Sequence, residues 1–216
     1  MKVVALVPIK MNNERTPGKN TKCLCDGTPL IQCILKTLKN SKVDEIYVYC
    51  SKEEIKAYLI SGINYLKRDS KYDTAQADVN DMFYSFSNEV EADIYVLAHA
   101  TAPFLSSESI DKGISEVKTG KYDSAVAVKR MQEFLWKDGH AYNYNPDFIP
   151  RTQDLEPLFA ETTGLYIFTR NVIQERYSRI GTKTYMLEVS PIEAIDINNP
   201  IDFEIADAVY SRIIRE

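Results

Sequence analysis

Three basic side chains lie close together near the amino terminus. Lys10, Arg15 and Lys19 fall in a polar loop that contains Pro17-Gly18 and ends at Asn20. Cations on a loop can gather the charges of a phosphate chain, and a glycine lets the backbone approach such a ligand closely. The loop therefore predicts a phosphate-binding site. The alternative is a surface turn built on Pro17-Gly18.

The loop does not match two common phosphate-binding patterns. Gly18-Lys19 is followed by Asn20 instead of Ser or Thr, and Asn13 stands where a Walker A loop begins with glycine. The sequence also contains no Gly-x-Gly-x-x-Gly run, which is typical of dinucleotide-binding folds. If the loop binds phosphate, it therefore belongs to a class of phosphate-binding loop other than these two.

The elements around the loop indicate an α/β domain. Residues 3–7 form an aliphatic run that is typical of a strand buried on both faces of a parallel sheet. Ligands bind beyond the carboxyl ends of such strands, which is where the loop falls. We predict further strands at residues 45–50, 63–67, 94–98, 124–128, 165–169, 185–189 and 194–197. Helices should lie between them at residues 29–38, 51–60, 78–90, 107–119 and 171–179, with a last helix from 200.

Local signals set several helix starts. Thr28 is predicted to cap the first helix ahead of Pro29, and Ser51 to open a capping box with Glu54. Asn199 should cap the last helix, with Pro200 at its first position and Asp202 in its first turn. The alternation of strands and helices favours one domain over residues 1–216, with a mostly parallel sheet in three layers.

Composition excludes several classes of protein. The chain has 216 residues, 44% of them hydrophobic, and a net charge of −5 with both signs interspersed. This balance argues against nucleic-acid binding, and the absence of an apolar run near 18 residues argues against a membrane span. We expect a cytoplasmic protein. Its four cysteines (Cys23, Cys25, Cys33, Cys50) should be reduced thiols, because their spacing is unlike that of zinc ligands.

Residues 131–159 break the alternation. This stretch contains several aromatic residues and prolines without a clear period, among them Trp136, Tyr142, Tyr144 and Phe148. Long irregular segments are usually functional, and aromatic side chains are enriched at interfaces. We therefore expect residues 131–159 to form an extended segment that contacts a partner subunit or a substrate.

Four segments together resemble the cytidylyltransferases that activate acidic sugars, the CMP-nonulosonate and CMP-Kdo synthetases. The first is the loop ending Pro-Gly-Lys-Asn, followed by Gly27-Thr28-Pro29-Leu30-Ile31. The others are His99-Ala100-Thr101-Ala102-Pro103, Thr163-Gly164-Leu165-Tyr166-Ile167-Phe168, and Ala194-Ile195-Asp196-Ile197-Asn198-Asn199-Pro200. Each is weak alone, but four in the family's order are specific, and they cover nearly the whole chain.

The resemblance implies a nucleotidyltransferase fold of GT-A type, which is Rossmann-like, with an extended dimerisation segment. It implies CTP and a sugar acid as substrates, Mg²⁺ as cofactor with Mn²⁺ as a substitute, and a homodimer. The catalytic residues would be Lys10, Arg15, Lys19 and Asp196, with the metal held by Asp196 and Asn198. The nucleotide would contact Leu6, Pro8, Lys10, Lys19, Asn20, Asp73, Thr74 and Ala75. The acceptor would contact His99, Thr101, Arg151, Gln153 and Glu161.

Several positions depart from the family pattern. Asn198 replaces the second metal carboxylate, and His99 replaces a glutamine that faces the sugar. Leu105 and Glu161 stand where the family has arginines. Losing two cations weakens the case for an acceptor of the usual sialic type, whose carboxylate favours arginine. Asp196 as a capping residue and His99 as a structural residue remain alternatives.

The expected reaction is transfer of CMP from CTP to an acidic sugar with release of pyrophosphate, which would supply precursors for surface polysaccharides. The loop cations would neutralise the leaving pyrophosphate. Two alternatives remain open. One is a transferase of the same fold with another nucleotide or acceptor, and the other is a nucleotide-binding scaffold that does not turn over.

Overall fold

The computed structural model describes residues 1–13, 16–74 and 76–213. Its strands are β1 (Val3–Ile9), β2 (Glu45–Cys50), β3 (Asn64–Lys67), β4 (Ile94–Ala98), β5 (Ser124–Met131), β6 (Trp136–Lys137), β7 (His140–Ala141), β8 (Leu158–Thr169) and β9 (Thr184–Glu188). Its α-helices are α1 (Leu30–Lys39), α2 (Val79–Glu89), α3 (Ser107–Lys118), α4 (Arg170–Arg176) and α5 (Pro200–Ile213). Two predicted site residues, Arg15 and Ala75, lie outside the described residues.

The central sheet has seven strands in the order β3-β2-β1-β4-β8-β5-β9. Within the described chain, β8 runs antiparallel to both of its neighbours, and the other pairs of adjacent strands are parallel. The prediction of a mostly parallel sheet is confirmed. The carboxyl ends of β1 and β4 therefore meet at one edge, beside the middle of β8.

Two hydrophobic clusters cover the two faces of the sheet. On β1, Val3, Ala5, Val7 and Ile9 face the cluster that includes α1 and α3, because side chains alternate along a strand. Val4 and Leu6 face the cluster formed with α2 and α4. A third, smaller cluster joins α1 to α5. The three-layer prediction is correct. No helix among the described residues is long and apolar enough to cross a membrane.

Two predicted helix starts are wrong. The backbone of Pro29 caps α1, because the N–H and hydroxyl of Thr28 both donate to Asp26, at 2.8 and 2.9 Å. The segment after β2 is a 3₁₀-helix, Glu53–Tyr58, without a side-chain cap. The hydroxyl of Ser51 donates to the Asp73 carboxylate at 2.5 Å instead of to the helix. In both places a nearby aspartate competes for the predicted capping group.

The predicted strand at residues 194–197 is not formed. Turns at Ser190 and Ile192 are followed by an irregular segment, which joins the β4 edge through one hydrogen bond from Ile197 N–H to the Thr101 carbonyl. Ile197 is buried in the cluster under α5. The apolar side chain of Ile197 is therefore buried by packing under α5 and not by a strand of the sheet. The predicted start of α5 is confirmed, since Pro200 is its first residue and Asp202 accepts hydrogen bonds from two backbone N–H groups.

The segment 131–159 is more regular than predicted. β5 runs to Met131 and β8 begins at Leu158, so the two strands continue as an antiparallel ribbon beyond the sheet. A small hairpin, β6–β7, fills part of the connection. Trp136 is 63% exposed and Phe148 is 81% exposed. Tyr166 is fully buried in the core, whereas Val79 at the start of α2 is 44% exposed.

Candidate active site

A polar cavity of about 410 Å³ opens at the carboxyl ends of β1 and β4. Its lining comes from four parts of the chain: the β1 loop, the end of β4, the middle of β8 with the turn after α4, and the segment before α5. The lining residues are Pro8, Lys10, Asn13, Lys19, Asn20, His99, Ala100, Thr101, Thr163, Arg179, Asp196 and Asn198. Most were predicted site residues, so the fold brings the predicted site together.

The β1 loop is held against the cavity by its own polar groups. The Lys10 ammonium donates to the Thr74 carbonyl at 2.9 Å, and the buried Asn20 amide donates to the Lys10 carbonyl at 3.0 Å. Gly18 has φ of 68°, a conformation that side chains other than glycine disfavour, and it leads into the 3₁₀-turn Lys19–Thr21. This turn directs Lys19 towards the opposite wall, where its ammonium donates to the Ile197 carbonyl at 2.6 Å.

Asp196 lies at the centre of the opposite wall. Its Oδ2 accepts hydrogen bonds from Asn198 Nδ2 at 2.6 Å and from Thr163 Oγ1 at 3.1 Å. Its Oδ1 is buried and has no hydrogen-bond partner among the described residues. A buried carboxylate oxygen without a partner costs free energy, so this atom is suited to a cation or a donor from a ligand.

Thr163 reaches Asp196 from a strained backbone. Its φ is 58°, in the left-handed region that a β-branched residue rarely adopts. It lies where the pairing of β5 with β8 shifts register, between Val126 and Val128. Such conformations cost roughly 1–3 kcal/mol and persist at sites where the surrounding structure enforces them.

The side chains of Asp196 and Asn198 do meet, although the strand that was predicted to place them on one face is absent. No group of three His, Cys, Asp or Glu side chains suited to a metal occurs in the described part of the chain. One carboxylate with an unpartnered oxygen and a neighbouring amide oxygen nevertheless fit Mg²⁺, which commonly takes one or two protein ligands and completes its shell with phosphates and water.

The segment that carries Asp196 is anchored by Glu193. Its carboxylate accepts hydrogen bonds from the Ser106 N–H at 3.1 Å, the Ser106 hydroxyl at 2.7 Å and the Ser190 N–H at 3.0 Å. Burial disfavours the ionised form, but the hydrogen bonds outweigh it and lower the pKa of Glu193 to about 2. The anchor connects the start of α3 to the segment three residues before Asp196.

His99 follows β4 and faces the cavity. Its backbone N–H donates to the Gly164 carbonyl at 3.0 Å, and its Nε2 is buried without a partner among the described residues. Burial lowers the pKa of His99 to about 4, and the positive charges of Arg179 and Lys19 act in the same direction, against Asp196. His99 is therefore neutral at pH 7 and offers a hydrogen-bonding nitrogen instead of a charge.

Asp73, predicted to contact the nucleotide, has its carboxylate engaged by two side chains of the protein. Its carboxylate binds the buried Arg68 guanidinium and the Ser51 hydroxyl, each at 2.5 Å. Arg68 is 2% exposed and also donates to the Ile9 carbonyl at 2.9 Å. Asp73 therefore connects the ends of β1, β2 and β3. From this turn, Thr74 contributes its carbonyl to Lys10.

Four other predicted residues do not line the cavity. Leu6 is 1% exposed in the core. Arg151 is exposed and forms a two-pronged ion pair with Asp154, at 2.7 and 2.9 Å, while Gln153 is exposed beside it. Glu161 is exposed on β8 and accepts a hydrogen bond from Tyr166 Oη at 2.8 Å. Arg151 and Gln153 belong to the extended segment, which is exposed in a single chain.

Sequence reasoning missed four lining residues, Asn13, Ala100, Thr163 and Arg179. Asn13 Oδ1 is buried without a partner among the described residues, and its place in the basic loop was the only available signal. Arg179 was predicted to end a helix. Instead α4 ends at Arg176, and Tyr177 turns the chain with a φ of 54°. The turn brings the Arg179 guanidinium over the Tyr166 ring, 3.9 Å from its centroid.

A three-layer α/β domain with a basic loop at the carboxyl ends of its parallel strands, opposite a carboxylate, is suited to a ligand that carries phosphate. The chain matches a family model described as cytidylyltransferase over residues 4–213. It therefore belongs to the cytidylyltransferase family, a family of nucleotidyltransferases.

Individual relatives agree with this assignment. The chain is 28% identical, over 99% of its length, to N-acylneuraminate cytidylyltransferase A of Danio rerio, and it spans about half (51%) of that protein. It is 28% identical, over 96% of its length and 95% of the relative, to CMP-N,N'-diacetyllegionaminic acid synthase of Legionella pneumophila. The fold matches the structure of CMP:2-keto-3-deoxy-manno-octonic acid synthetase complexed with CTP, with a TM-score of 0.74, 17% identity, and coverage of 99% of this chain and 100% of the other.

Proposed function

We propose that this protein transfers CMP from CTP to an acidic sugar and releases pyrophosphate. One observation carries the proposal: the basic β1 loop and Asp196 face each other across one cavity, and Lys19 bridges the two walls through the Ile197 carbonyl. Family membership specifies the nucleotidyl chemistry. The names of the relatives supply the nucleotide and the class of acceptor.

The reaction requires positioning and charge stabilisation more than covalent chemistry from the protein. An acceptor oxygen attacks the α-phosphorus of CTP, the bond from that phosphorus to the bridging oxygen breaks, and pyrophosphate leaves with a proton released. Lys10 and Lys19 line the cavity, and in this proposal they neutralise the phosphate chain and the leaving group. Asn20 holds the loop backbone in place through the Lys10 carbonyl.

Asp196 and Asn198 would hold the metal ion. A bound Mg²⁺ would supply positive charge on the phosphate oxygens during transfer. The Asn198 amide now donates to Asp196, so it must rotate for its oxygen to act as a ligand. With a single carboxylate, the protein contributes less of the metal affinity than two carboxylates would, and we expect half-maximal rates at millimolar metal, with Mn²⁺ as a substitute.

We also propose that the protein is a homodimer formed through residues 131–159. Phe134, Trp136, Tyr142, Phe148 and Ile149 are all more than a third exposed on this segment, and exposed apolar patches of this kind mark interaction surfaces. In such a dimer, Arg151 and Gln153 of one subunit would approach the active site of the partner subunit. Sedimentation at micromolar concentration should give a dimer, and a double substitution of Trp136 and Phe148 by serine should give a monomer. A monomeric parent protein would refute this arrangement.

The test of function is pyrophosphate release with CTP, UTP, ATP and GTP against a panel of acidic and neutral sugars. We expect release with CTP and an acidic sugar only, and none from the Asp196→Asn variant. Release that requires another nucleotide or a neutral sugar would contradict the proposal.

A second candidate is a nucleotide-binding scaffold without turnover. It is favoured by Asn198, which leaves one carboxylate where two would hold the metal more firmly. CTP binding by calorimetry, together with no pyrophosphate release for any acceptor, would support the scaffold.

A further inference from the structure

Arg179 lines the wall of the cavity opposite the phosphate loop. The strands follow in the order β1, β4, β8, so the wall formed by β8 lies two strand spacings from β1, about 10 Å away. Lys10 and Lys19 belong to the β1 loop, whereas Arg179 packs on Tyr166 of β8. That distance leaves room for a sugar ring between the phosphate loop and Arg179.

The guanidinium of Arg179 is held in position by stacking, and its N–H groups have no hydrogen-bond partner among the described residues. Its plane is held 3.9 Å from the centroid of the Tyr166 ring, an arrangement that stabilises arginine through the face of the aromatic system. Tyr166 is itself fixed, because it is fully buried and its hydroxyl donates to Glu161. Among the described residues, no carboxylate forms an ion pair with Arg179. A stacked guanidinium with free N–H edges suits a planar carboxylate, which it can bind with two parallel hydrogen bonds.

The two positions at which relatives were expected to carry arginines cannot supply this cation. Leu105 is 2% exposed in the core, and its carbonyl accepts a hydrogen bond from Thr37 at 3.1 Å. Glu161 is an exposed carboxylate on β8. An acidic acceptor in this cavity would therefore meet the negative Asp196 without a balancing charge on its own side, unless Arg179 provides one.

We propose that Arg179 binds the carboxylate of the acidic sugar and is the residue that selects an acid over a neutral sugar. This inference rests on the proposed function. Arg179 would take the role that the resemblance assigns to arginines at positions 105 and 161. It reaches the cavity through the left-handed turn at Tyr177, in a part of the chain that no site motif includes.

The test separates acceptor binding from nucleotide binding. Calorimetry would measure N-acetylneuraminic acid, N,N'-diacetyllegionaminic acid and 3-deoxy-manno-octulosonic acid, each with its methyl ester, in the presence of the α,β-methylene analogue of CTP. The variants are Arg179→Ala, Arg179→Lys and the matched control Arg176→Ala, whose arginine is exposed at the end of α4 and does not line the cavity.

Arg179→Ala should weaken binding of the acid about 10- to 100-fold, because it removes two charge-assisted hydrogen bonds. Arg179→Lys should recover part of this loss, since it keeps the charge but not the planar fork. The methyl ester should bind the parent protein and Arg179→Ala equally, and the CTP analogue should bind all variants within about two-fold. Arg176→Ala should match the parent protein.

The inference is overturned if Arg179→Ala weakens the CTP analogue instead of the acid, because Arg179 would then bind triphosphate. It is also overturned if acid and ester bind the parent protein equally, or if none of the three acids binds. Pyrophosphate release measured with the same variants and acids, but with CTP and Mg²⁺ in place of the analogue, keeps the two proposals apart. Arg179-dependent binding of an acid without release refutes the proposed function alone, and release by Arg179→Ala with an unchanged KM for the acid refutes the role of Arg179 alone.

Discussion

Replacing Lys19 by methionine tests the phosphate loop directly. Methionine keeps most of the aliphatic stem but removes the ammonium that faces the cavity. A preorganised cation on developing phosphate charge is worth roughly 3–4 kcal/mol, so kcat/KM for CTP should fall by about two to three orders of magnitude. The loss should appear for CTP at saturating acceptor, because Lys19 belongs to the β1 loop and not to the β8 wall.

The same substitution should have a measurable but smaller effect on folding. The Lys19 ammonium donates to the Ile197 carbonyl at 2.6 Å and thereby connects the loop to the segment of Asp196. A charged hydrogen bond of this kind, partly open to solvent, contributes about 1 kcal/mol, which lowers the Tm of a chain of this size by about 2–4 °C. Differential scanning calorimetry would measure the Tm, and initial rates of pyrophosphate release would give kcat/KM.

Lys22→Met is the matched control. Lys22 is close in the chain, but its ammonium lies 4.0 Å from the Phe203 ring centroid and does not line the cavity. Its kcat/KM should stay within about two-fold of the parent value. If Lys19→Met retained near-parent turnover of CTP, or if Lys22→Met lost as much, the assignment of the β1 loop to phosphate would be refuted.

Four further substitutions probe the side chains opposite the β1 loop and the segment that supports them. Asp196→Asn should abolish turnover with the fold intact by circular dichroism, whereas Asn198→Asp should lower the Mg²⁺ concentration for half-maximal rate. Because the folded pKa of His99, about 4, lies below its ordinary value of 6.5, the unfolded state binds more protons between these pH values. The parent protein should therefore lose up to about 3 kcal/mol as the pH falls from 6.5 to 4, and His99→Gln should remove this loss in urea titrations. The pKa of Glu193 is lowered from 4.5 to about 2, so its stabilisation, about 2 kcal/mol after solvent screening, is present above pH 4.5 and lost as the pH falls towards 2. Glu193→Gln should therefore be less stable at pH 7 and show a flatter profile below pH 4.5.

Each of these has a contrary outcome. Substantial activity in Asp196→Asn would make Asp196 a structural residue and move the metal site elsewhere. An unchanged Mg²⁺ requirement in Asn198→Asp would remove Asn198 from the metal ligands. A pH profile of stability that His99→Gln or Glu193→Gln leaves unaltered would mean that these side chains titrate alike in the folded and unfolded states.

The parts of the fold with local causes could be predicted. β1 is a run of aliphatic residues buried on both faces, and the polar loop that follows it must fall at the edge of a parallel sheet. Lys10 and Lys19 follow from that placement, whereas Asn20 was predicted from the family resemblance. Asp196 was found because its segment resembles a family motif, not because of its local structure.

The failures have tertiary causes. Ile195 and Ile197 alternate with polar residues as a strand would, but they pack under α5, and the segment contributes turns instead. The nucleotide contact at Asp73 stays a prediction, but the ion pair of its carboxylate with the buried Arg68 is a tertiary contact that no sequence motif indicated. Arg179 reaches the site only because Tyr177 ends α4 in a left-handed conformation, which nothing in the helix pattern indicates.

The central claim is that CTP binds in this cavity with its triphosphate on the β1 loop and its α-phosphate towards Asp196. A crystal structure of the protein with CTP and Mg²⁺ would test it most directly. We expect phosphate oxygens within about 3 Å of the Lys19 ammonium and a metal ion on Asp196 Oδ1. A triphosphate bound outside the cavity, or one that contacts neither Lys19 nor Asp196, would contradict the claim.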